Sequence, residues 1–252
     1  MLVVALTVTA MSCSPAGRRA AAPAKTAPTT ATTGGMARVG SRPLRVLVMG
    51  DSLTFECRPA IWSAAAATGR IDLWFASYPG TTLLTNNPAG GSWVPKMPSL
   101  IAEYDPDVVV AEFSGDYFPP YYRRLDGSPI LPGSEDYYRL WAAAAAQATR
   151  LLSAQHAQVY WTLDPPSFDQ TGPDRLNAIY LALAGSFPVR FVDEFHPFAG
   201  PGGAWTPTLP IGPGGAPVVV RAPDHGHLTE AGCQVWAPTL VDTVLRESGG
   251  SG

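Results

Sequence analysis

Short apolar runs alternate along this chain with longer amphipathic or alanine-rich segments. The short runs predict buried β-strands at residues 46–49, 71–76, 108–113, 159–163 and 189–192. The longer segments predict α-helices at residues 61–68, 98–104, 136–155 and 175–187, and a final helix lies near the carboxyl terminus. This alternation predicts an α/β fold, a three-layer sandwich in which helices cover both faces of a central parallel five-stranded sheet. In such a fold the functional residues lie at the carboxyl ends of the strands.

The amino-terminal residues show a different pattern. Residues 2–10 form an apolar run that is too short to span a bilayer but suits the core of an export signal, which we place at residues 1–13. Within it, Ala10-Met11-Ser12-Cys13 resembles a loose bacterial lipobox, in which Cys13 would carry the lipid. A plain secretory signal, or a tail with an incidental cysteine, is the alternative.

The rest of the chain divides into a linker, one domain and a tail. Residues 14–43 are rich in Ala, Thr, Pro and Gly without apolar periodicity, which predicts a disordered linker. Residues 44–248 contain enough apolar sequence for one buried core, and residues 249–252 form a flexible Gly/Ser tail. The protein is therefore expected to be exported to the extracellular space or the cell envelope, with membrane contact only through a lipid anchor.

Composition narrows the classes of ligand. Of the 252 residues, 46% are hydrophobic and 15% are charged, and the formal net charge is -3 at pH 7. Because this balance gives no basic surface, we expect no nucleic acid and no anionic membrane bound through charge. The sequence has no phosphate-binding loop or dinucleotide fingerprint, and we interpret Asp193, Glu194 and His196 as a solvated strand end, so no cofactor and no metal is predicted. A small molecule or a glycan remains the expected substrate.

Two short motifs at opposite ends of the domain indicate nucleophilic chemistry. Gly50-Asp51-Ser52 follows the first predicted strand, so the turn presents the Ser52 hydroxyl at the carboxyl edge of the sheet, near backbone N–H groups of a helix. Near the other end, Asp224 precedes His227 by three residues, so a carboxylate can hold an imidazole within one turn. Each motif alone is also ordinary turn or helix-capping sequence. Together they favour a Ser-His-Asp triad.

These motifs resemble those of the SGNH (GDSL-type) hydrolases, in which Gly-Asp-Ser-Leu and Asp-x-x-His supply the triad. The resemblance spans roughly residues 44–246 and implies the SGNH, flavodoxin-like form of the α/β sandwich. It also implies that Ser52 is the nucleophile, His227 the general base and Asp224 the orienting carboxylate. By the same resemblance, the backbone N–H groups of Ser52 and Gly80 would bind the oxyanion.

The third sequence block departs from the family pattern. Where the family usually has an asparagine whose amide donates to the oxyanion, this chain has Asp116. An ionised carboxylate donates no hydrogen bond, and the loss of one oxyanion donor typically costs about a hundredfold to a thousandfold in rate. Three explanations are open: Asp116 is protonated, Asn86 or Asn87 replaces it, or the site is weak or repurposed.

Two cysteines lie inside the predicted domain. Cys57 comes five residues after Ser52 and Cys233 six residues after His227, so a folded triad would bring the two segments together. Because thiols oxidise in the compartments where exported proteins mature, we predict a disulfide between Cys57 and Cys233. Two buried free thiols are the alternative.

Three residues near the predicted strand ends are candidates for substrate binding. Tyr117 begins an aromatic and basic loop, and Trp161 lies in the fourth predicted strand. Their rings suit sugar rings, acyl chains or the protein core. Arg221 could hold an acidic acyl group or brace a neighbouring loop. Residues 198–220 form a Gly/Pro-rich excursion, which we interpret as an active-site flap.

The sequence therefore predicts a serine esterase that removes a short O-linked acyl group from an extracellular or cell-envelope glycan or a similar acceptor. An O-acyltransferase with the same triad is one alternative, and it differs only in the acceptor that reaches the acyl-enzyme. A non-catalytic glycan-binding module with a degraded oxyanion hole is the other.

Overall fold

The part of the chain that can be described is nearly all of the predicted domain. The computed structural model describes residues 42–84, 93–115, 127–168 and 173–248, together with the backbone of residues 122 and 123. The predicted export signal with Cys13, the tail and nearly all of the predicted linker lie outside the described residues.

The centre of the domain is the predicted five-stranded sheet, and all of its strands run parallel. Its strands, in the spatial order β2-β1-β3-β6-β7, are Ile71–Ser77, Leu44–Gly50, Val108–Glu112, Gln158–Leu163 and Arg190–Asp193. Two short antiparallel pairs lie outside it: β4 with β5, Tyr122–Arg123 with Pro129–Ile130, and β8 with β9, Thr208–Leu209 with Val218–Val219. The sequence-based prediction of an α/β fold with a parallel five-stranded sheet is confirmed.

Helices cover both faces of this sheet. In chain order, α1 to α6 are Ser52–Thr68, Met97–Tyr104, Glu135–Leu152, Pro173–Leu183, Phe195–Phe198 and Glu230–Ser248. Short 3-10 turns occur at Val94–Lys96, Pro201–Gly203 and Pro213–Gly215. The first helix is longer than its apolar pattern predicted, because Asp51 caps it directly after β1. It ends at Gly69, whose φ of 61° is in the left-handed region that favours glycine.

The strands divide their side chains between two cores. Val46, Val48 and Val110 pack with α1 and α6, and we call this side the α1/α6 face. Leu47 and Val109, their neighbours in the same strands, pack with α2, α3 and α4 on the α2–α4 face. Successive strand residues point to opposite faces, so each strand is buried on both sides. This burial explains why the strands appear in the sequence as continuous apolar runs.

A disulfide joins Cys57 in α1 to Cys233 in α6, as predicted. The two Cα atoms are 5.0 Å apart, although the residues are separated by 176 positions in the chain. The bridge connects the two helices that follow the serine motif and the histidine motif. None of the described helices combines the length and the apolarity that crossing a membrane requires.

Candidate active site

Close backbone packing puts Ser52 at the carboxyl edge of the sheet. A Cβ at Gly50 would lie 2.7 Å from the carbonyl oxygen of Glu112, so the chain can turn here only with glycine. The next residue, Asp51, accepts a hydrogen bond from the backbone N–H of Leu53 at 3.0 Å and so begins α1. Ser52 therefore occupies the first turn of the helix, where backbone N–H groups create a positive potential.

The histidine motif meets this serine across the fold. Nε2 of His227 lies 2.8 Å from Oγ of Ser52, and Nδ1 lies 2.5 Å from Oδ2 of Asp224. Oδ1 of Asp224 accepts the backbone N–H groups of Gly226 and His227, each at 3.0 Å. These bonds hold the carboxylate and leave its second oxygen for the imidazole, which fixes the ring orientation. The three side chains thus form one continuous hydrogen-bonded chain.

The environment of Asp224 favours its ionised form. Partial burial raises the pKa of this carboxyl, but the hydrogen bonds from His227 and Gly226 outweigh that effect. The resulting pKa lies below the ordinary value for aspartate. A negative charge at this position would stabilise a protonated imidazole if His227 took the proton of the Ser52 hydroxyl.

The triad opens into a pocket of about 630 Å³. Gly80 lines it together with Ser52, and its φ of 68° again requires the freedom of glycine. The two residues expected to supply oxyanion N–H groups therefore share one cavity. Asp116, the doubtful third member, lies outside the described residues, as do its proposed substitutes Asn86 and Asn87.

Sequence reasoning missed a row of buried carboxyl groups beneath the nucleophile. They are Asp51 after β1, Glu112 at the end of β3, Asp164 after β6 and Glu194 after β7. Asp51 is 6% exposed, and the other three are at most 1% exposed. We call these four residues the acid row. The available signal was periodicity, because each of the last three lies two positions after a buried residue of the same strand, namely Val110, Thr162 and Val192.

The acid row holds the start of α1 in place. Glu112 Oε2 accepts hydrogen bonds from the backbone N–H of Thr54 at 3.1 Å and from its hydroxyl at 2.7 Å. Asp51 Oδ2 accepts both the backbone N–H and the hydroxyl of Ser114, each at 2.9 Å. Ser52 is therefore anchored on both sides by bonds to buried carboxyl groups.

Burial also shifts the pKa values of the four carboxyl groups in the acid row. Desolvation raises the pKa of Asp51, and it raises those of Glu112, Asp164 and Glu194 well above their ordinary values. Repulsion between neighbouring carboxyl groups adds to the effect. Burial thus works against ionisation of these carboxyl groups, and so against the accumulation of negative charge beside Ser52.

Arg221 lines the pocket, but its contacts are those of a structural brace. The residue is 3% exposed, and its Nη2 donates to the carbonyl oxygen of Pro166 at 3.1 Å. Burial lowers its pKa to about 10, although the nearby charge of Glu194 opposes the shift. Arg221 also forms a β-bridge with Leu228, and the next residue donates its N–H to the carbonyl of His227. The predicted role in substrate binding stays a prediction.

Trp161 does not reach the pocket, so its assignment to substrate binding was wrong. The side chain is fully buried on the α2–α4 face, where it stacks on Tyr180 with ring centroids 4.7 Å apart. Its indole N–H donates to the hydroxyl of Thr149 at 3.0 Å. The alternation of β6 turns this position away from the triad. Tyr117 lies outside the described residues.

The end of β7 is only partly the solvated strand end that was expected. Asp193 and His196 are exposed and paired, with 2.6 Å between Oδ2 and Nδ1. Glu194, between them, is buried in the acid row. Among the described residues, no group of histidine, cysteine and acidic side chains has the geometry to hold a metal ion.

A comparison with known protein families matches one region of the chain, which lies within the predicted domain. Residues 45–243 match the family described as "Protein of unknown function (DUF459)". A search of curated proteins gave no match.

Solved structures share the fold at low sequence identity. A GDSL-like lipase from Bacteroides thetaiotaomicron is 14% identical, with a TM-score of 0.54 over 81% of this chain and 88% of that chain. The psychrotrophic esterase EstA from Pseudoalteromonas sp. is 14% identical, with a TM-score of 0.55 over 82% and 99%. The periplasmic domain of a lipopolysaccharide acetyltransferase from Salmonella ser. Paratyphi A is 10% identical, with a TM-score of 0.55 over 82% and 85%. The chain therefore belongs to the DUF459 family and has the fold of the SGNH (GDSL-type) hydrolases.

Proposed function

We propose that this protein is a serine esterase that removes a short O-linked acyl group from an extracellular or cell-envelope glycan. The observation that carries the proposal is the hydrogen-bonded chain from Ser52 through His227 to Asp224, with distances of 2.8 Å and 2.5 Å. A serine hydroxyl is a weak nucleophile until a base takes its proton, and this geometry provides the base and its orienting group. The chain opens into a cavity that can accept a substrate.

The proposed reaction has two steps. In the first, Ser52 Oγ attacks the ester carbonyl while His227 Nε2 takes the hydroxyl proton and then delivers it to the departing alcohol oxygen. Asp224 stabilises the imidazolium, and the N–H groups of Ser52 and Gly80 receive the negative oxygen. In the second, His227 takes a proton from a water molecule as the water oxygen attacks the acyl carbonyl. The bond from the acyl carbon to Ser52 Oγ then breaks, His227 returns the proton to Oγ, and the carboxylic acid is released.

Two further observations support the substrate class and the location. The fold neighbours include an esterase crystallised with the inhibitor monoethylphosphonate and an acetyltransferase named for lipopolysaccharide. The disulfide between Cys57 and Cys233 is typical of proteins that mature in an oxidising compartment, and the predicted export signal agrees with that.

Covalent labelling tests the proposal directly. A fluorophosphonate probe should label the native protein, and hydrolysis of 4-nitrophenyl acetate should be measurable. Ser52→Ala should lose both reactions. Ser63→Ala is the matched control, because Ser63 is an exposed serine on the same helix, α1, and should leave both unchanged. Labelling that persists in Ser52→Ala, or a native protein that neither labels nor hydrolyses the ester, would reject the proposed activity.

A further inference from the structure

Three aromatic rings from three separate loops meet at the wall of the pocket, and two of them line it. Phe168 follows β6, Trp205 lies between α5 and β8, and His225 lies between the two triad residues Asp224 and His227. The rings of Phe168 and His225 stack with centroids 4.4 Å apart and planes 16° apart. Trp205 packs edge-on against both, with centroid distances of 5.0 Å and 5.4 Å. We call Phe168, Trp205 and His225 the aromatic wall.

The wall is held together by more than ring contacts. The indole N–H of Trp205 donates to the carbonyl oxygen of His225 at 3.3 Å, which ties the excursion before β8 to the triad loop. Phe168 and His225 line the same cavity as Ser52. Any ligand group bound at the wall would therefore share one cavity with the nucleophile.

Core packing does not account for Phe168. Its side chain is 58% exposed, whereas the large aromatic Trp161 is fully buried. Burial of a phenylalanine side chain typically stabilises a fold by about 1.5–3 kcal/mol. Because Phe168 is largely exposed, it contributes only part of this stabilisation. Exposure alone is common for single apolar side chains, but Phe168 also lines the cavity that Ser52 lines, where aromatic side chains commonly contact ligands.

The backbone conformation of His225 also indicates a role for its side chain beyond folding. Its φ of 65° lies in the left-handed region, which costs a residue with a side chain roughly 1–2 kcal/mol. Glycine would make this turn without strain. The histidine contributes its ring, which is stacked on Phe168. The turn itself does not require a histidine at this position, whereas the aromatic wall uses its ring.

The charges around the cavity narrow the class of ligand that it can bind. Glu56 and the ionised Asp224 line it, and its cationic lining residue, Arg221, is buried against Pro166 and Glu194. An anionic ligand would face carboxylates, so a neutral one fits better. A cavity of about 630 Å³ is of the size that holds a drug-sized ligand, far more than a short acyl group fills. The apolar C–H face of a sugar ring suits the negative face of an aromatic ring.

We propose that the aromatic wall binds a neutral sugar ring, the one whose O-acyl group reaches Ser52. This inference rests on the proposed esterase function and assigns the acceptor side of its substrate. Phe168 and His225 provide the stacking surface, and Trp205 keeps it in position.

Saccharide binding without turnover provides the test. Isothermal titration calorimetry is carried out on Ser52→Ala protein with three neutral, unacylated probes: xylotriose, cellotriose and chitotriose. At least one saccharide should bind. The further change Phe168→Ala should raise the dissociation constant for that saccharide about tenfold. Trp62→Ala is the control, because Trp62 is 57% exposed on α1 and should leave binding unchanged. Circular dichroism and unfolding midpoints establish that each variant is folded.

The outcomes separate this inference from the esterase proposal. If none of the three saccharides binds, or if folded Phe168→Ala protein binds as tightly as its parent, the aromatic wall is not a sugar site. Fluorophosphonate labelling of Ser52 in the same preparation of native protein would then still support the esterase. If a saccharide binds through Phe168 but the native protein does not label, the sugar site stands and the proposed chemistry fails.

Discussion

The two faces of the central sheet are built from the same five strands but differ in the kind of polar group that they bury. On the α2–α4 face, Trp161 donates to Thr149, and Trp141 donates to the hydroxyl of Tyr180 at 3.0 Å. That hydroxyl in turn donates to the carbonyl oxygen of Phe113 at 2.5 Å. The two indole N–H groups and the Tyr180 hydroxyl are therefore paired, as is usual in a protein core.

The α1/α6 face contains buried polar atoms that have no hydrogen-bond partner among the described residues. They include the indole nitrogen of Trp236, one oxygen each of Glu112 and Glu194, and both carboxyl oxygens of Asp164. Each such atom typically costs about 1–3 kcal/mol. The triad, the acid row and the disulfide all lie on this face. The unpartnered carboxyl oxygens are thus concentrated on the face that holds the candidate site, where they reduce the stability of the fold.

The largest expected effect concerns chemistry on the α1/α6 face. In Asp224→Asn, the amide oxygen can still accept the N–H groups of Gly226 and His227, but the amide nitrogen cannot accept from the imidazole. The imidazole is then held in the wrong tautomer, so kcat for a short ester should fall about 10⁴-fold. The unfolding midpoint should change little.

The chain provides a matched control for this variant. Asp193 and His196 repeat the same spacing and the same carboxylate-imidazole contact, but they are exposed and outside the pocket. Asp193→Asn should leave kcat unchanged. Similar losses in the two variants would mean that the contact between Asp224 and His227 has no special role.

The disulfide should give the largest change in stability. Replacement of Cys57 and Cys233 together by alanine opens a loop of about 175 residues in the unfolded chain and should lower the free energy of unfolding by roughly 4–5 kcal/mol. Denaturant unfolding with and without a reducing agent measures the effect. Reductant should destabilise the native protein and leave the double variant unchanged. A loss below about 1 kcal/mol would show that the bridge contributes little to joining the two halves of the site.

A core substitution on the α2–α4 face should separate stability from catalysis. Trp161→Ala removes a fully buried ring and should cost about 3–5 kcal/mol in the free energy of unfolding. Because the ring faces away from the triad, KM for a short ester should be unchanged in the folded fraction. Trp161→Phe, which keeps most of the volume, should cost less. An increase in KM without a loss of stability would restore the substrate-binding role that the sequence suggested.

The smallest effect should appear in the pH dependence of the acid row. The pKa of Glu112 is raised well above its ordinary value by burial and by the charges of Asp51 and Asp164. Its contribution to stability is therefore complete below the ordinary pKa and is lost as the pH rises through the raised value. Glutamine cannot ionise, so Glu112→Gln should become more stable relative to the native protein by about 1 kcal/mol or more between pH 5 and pH 9.

Chemical unfolding at several pH values checks this sign. Glu103→Gln, on the exposed side of α2, is the control and should follow the native protein at each pH. If the advantage of Glu112→Gln shrinks as the pH rises, the folded protein favours the ionised carboxylate of Glu112, and the raised pKa is wrong.

The sequence by itself predicted the strands, the connection order and the meeting of Ser52, His227 and Asp224. Strands buried on both faces are continuous apolar runs, and glycine turns and an Asp-x-x-His spacing are local features that the sequence records directly. The disulfide followed from the triad, because the two cysteines lie a few residues beyond Ser52 and His227.

Only the tertiary structure decided which face each side chain serves and which distant groups meet outside the two motifs and the disulfide. Trp161 and Glu194 were misjudged because a one-residue step along a strand exchanges the two faces, and composition does not show which face holds the site. The acid row and the aromatic wall join residues from separate strands and loops. Their proximity, burial and pKa shifts arise from packing between segments far apart in the chain, which no local pattern specifies.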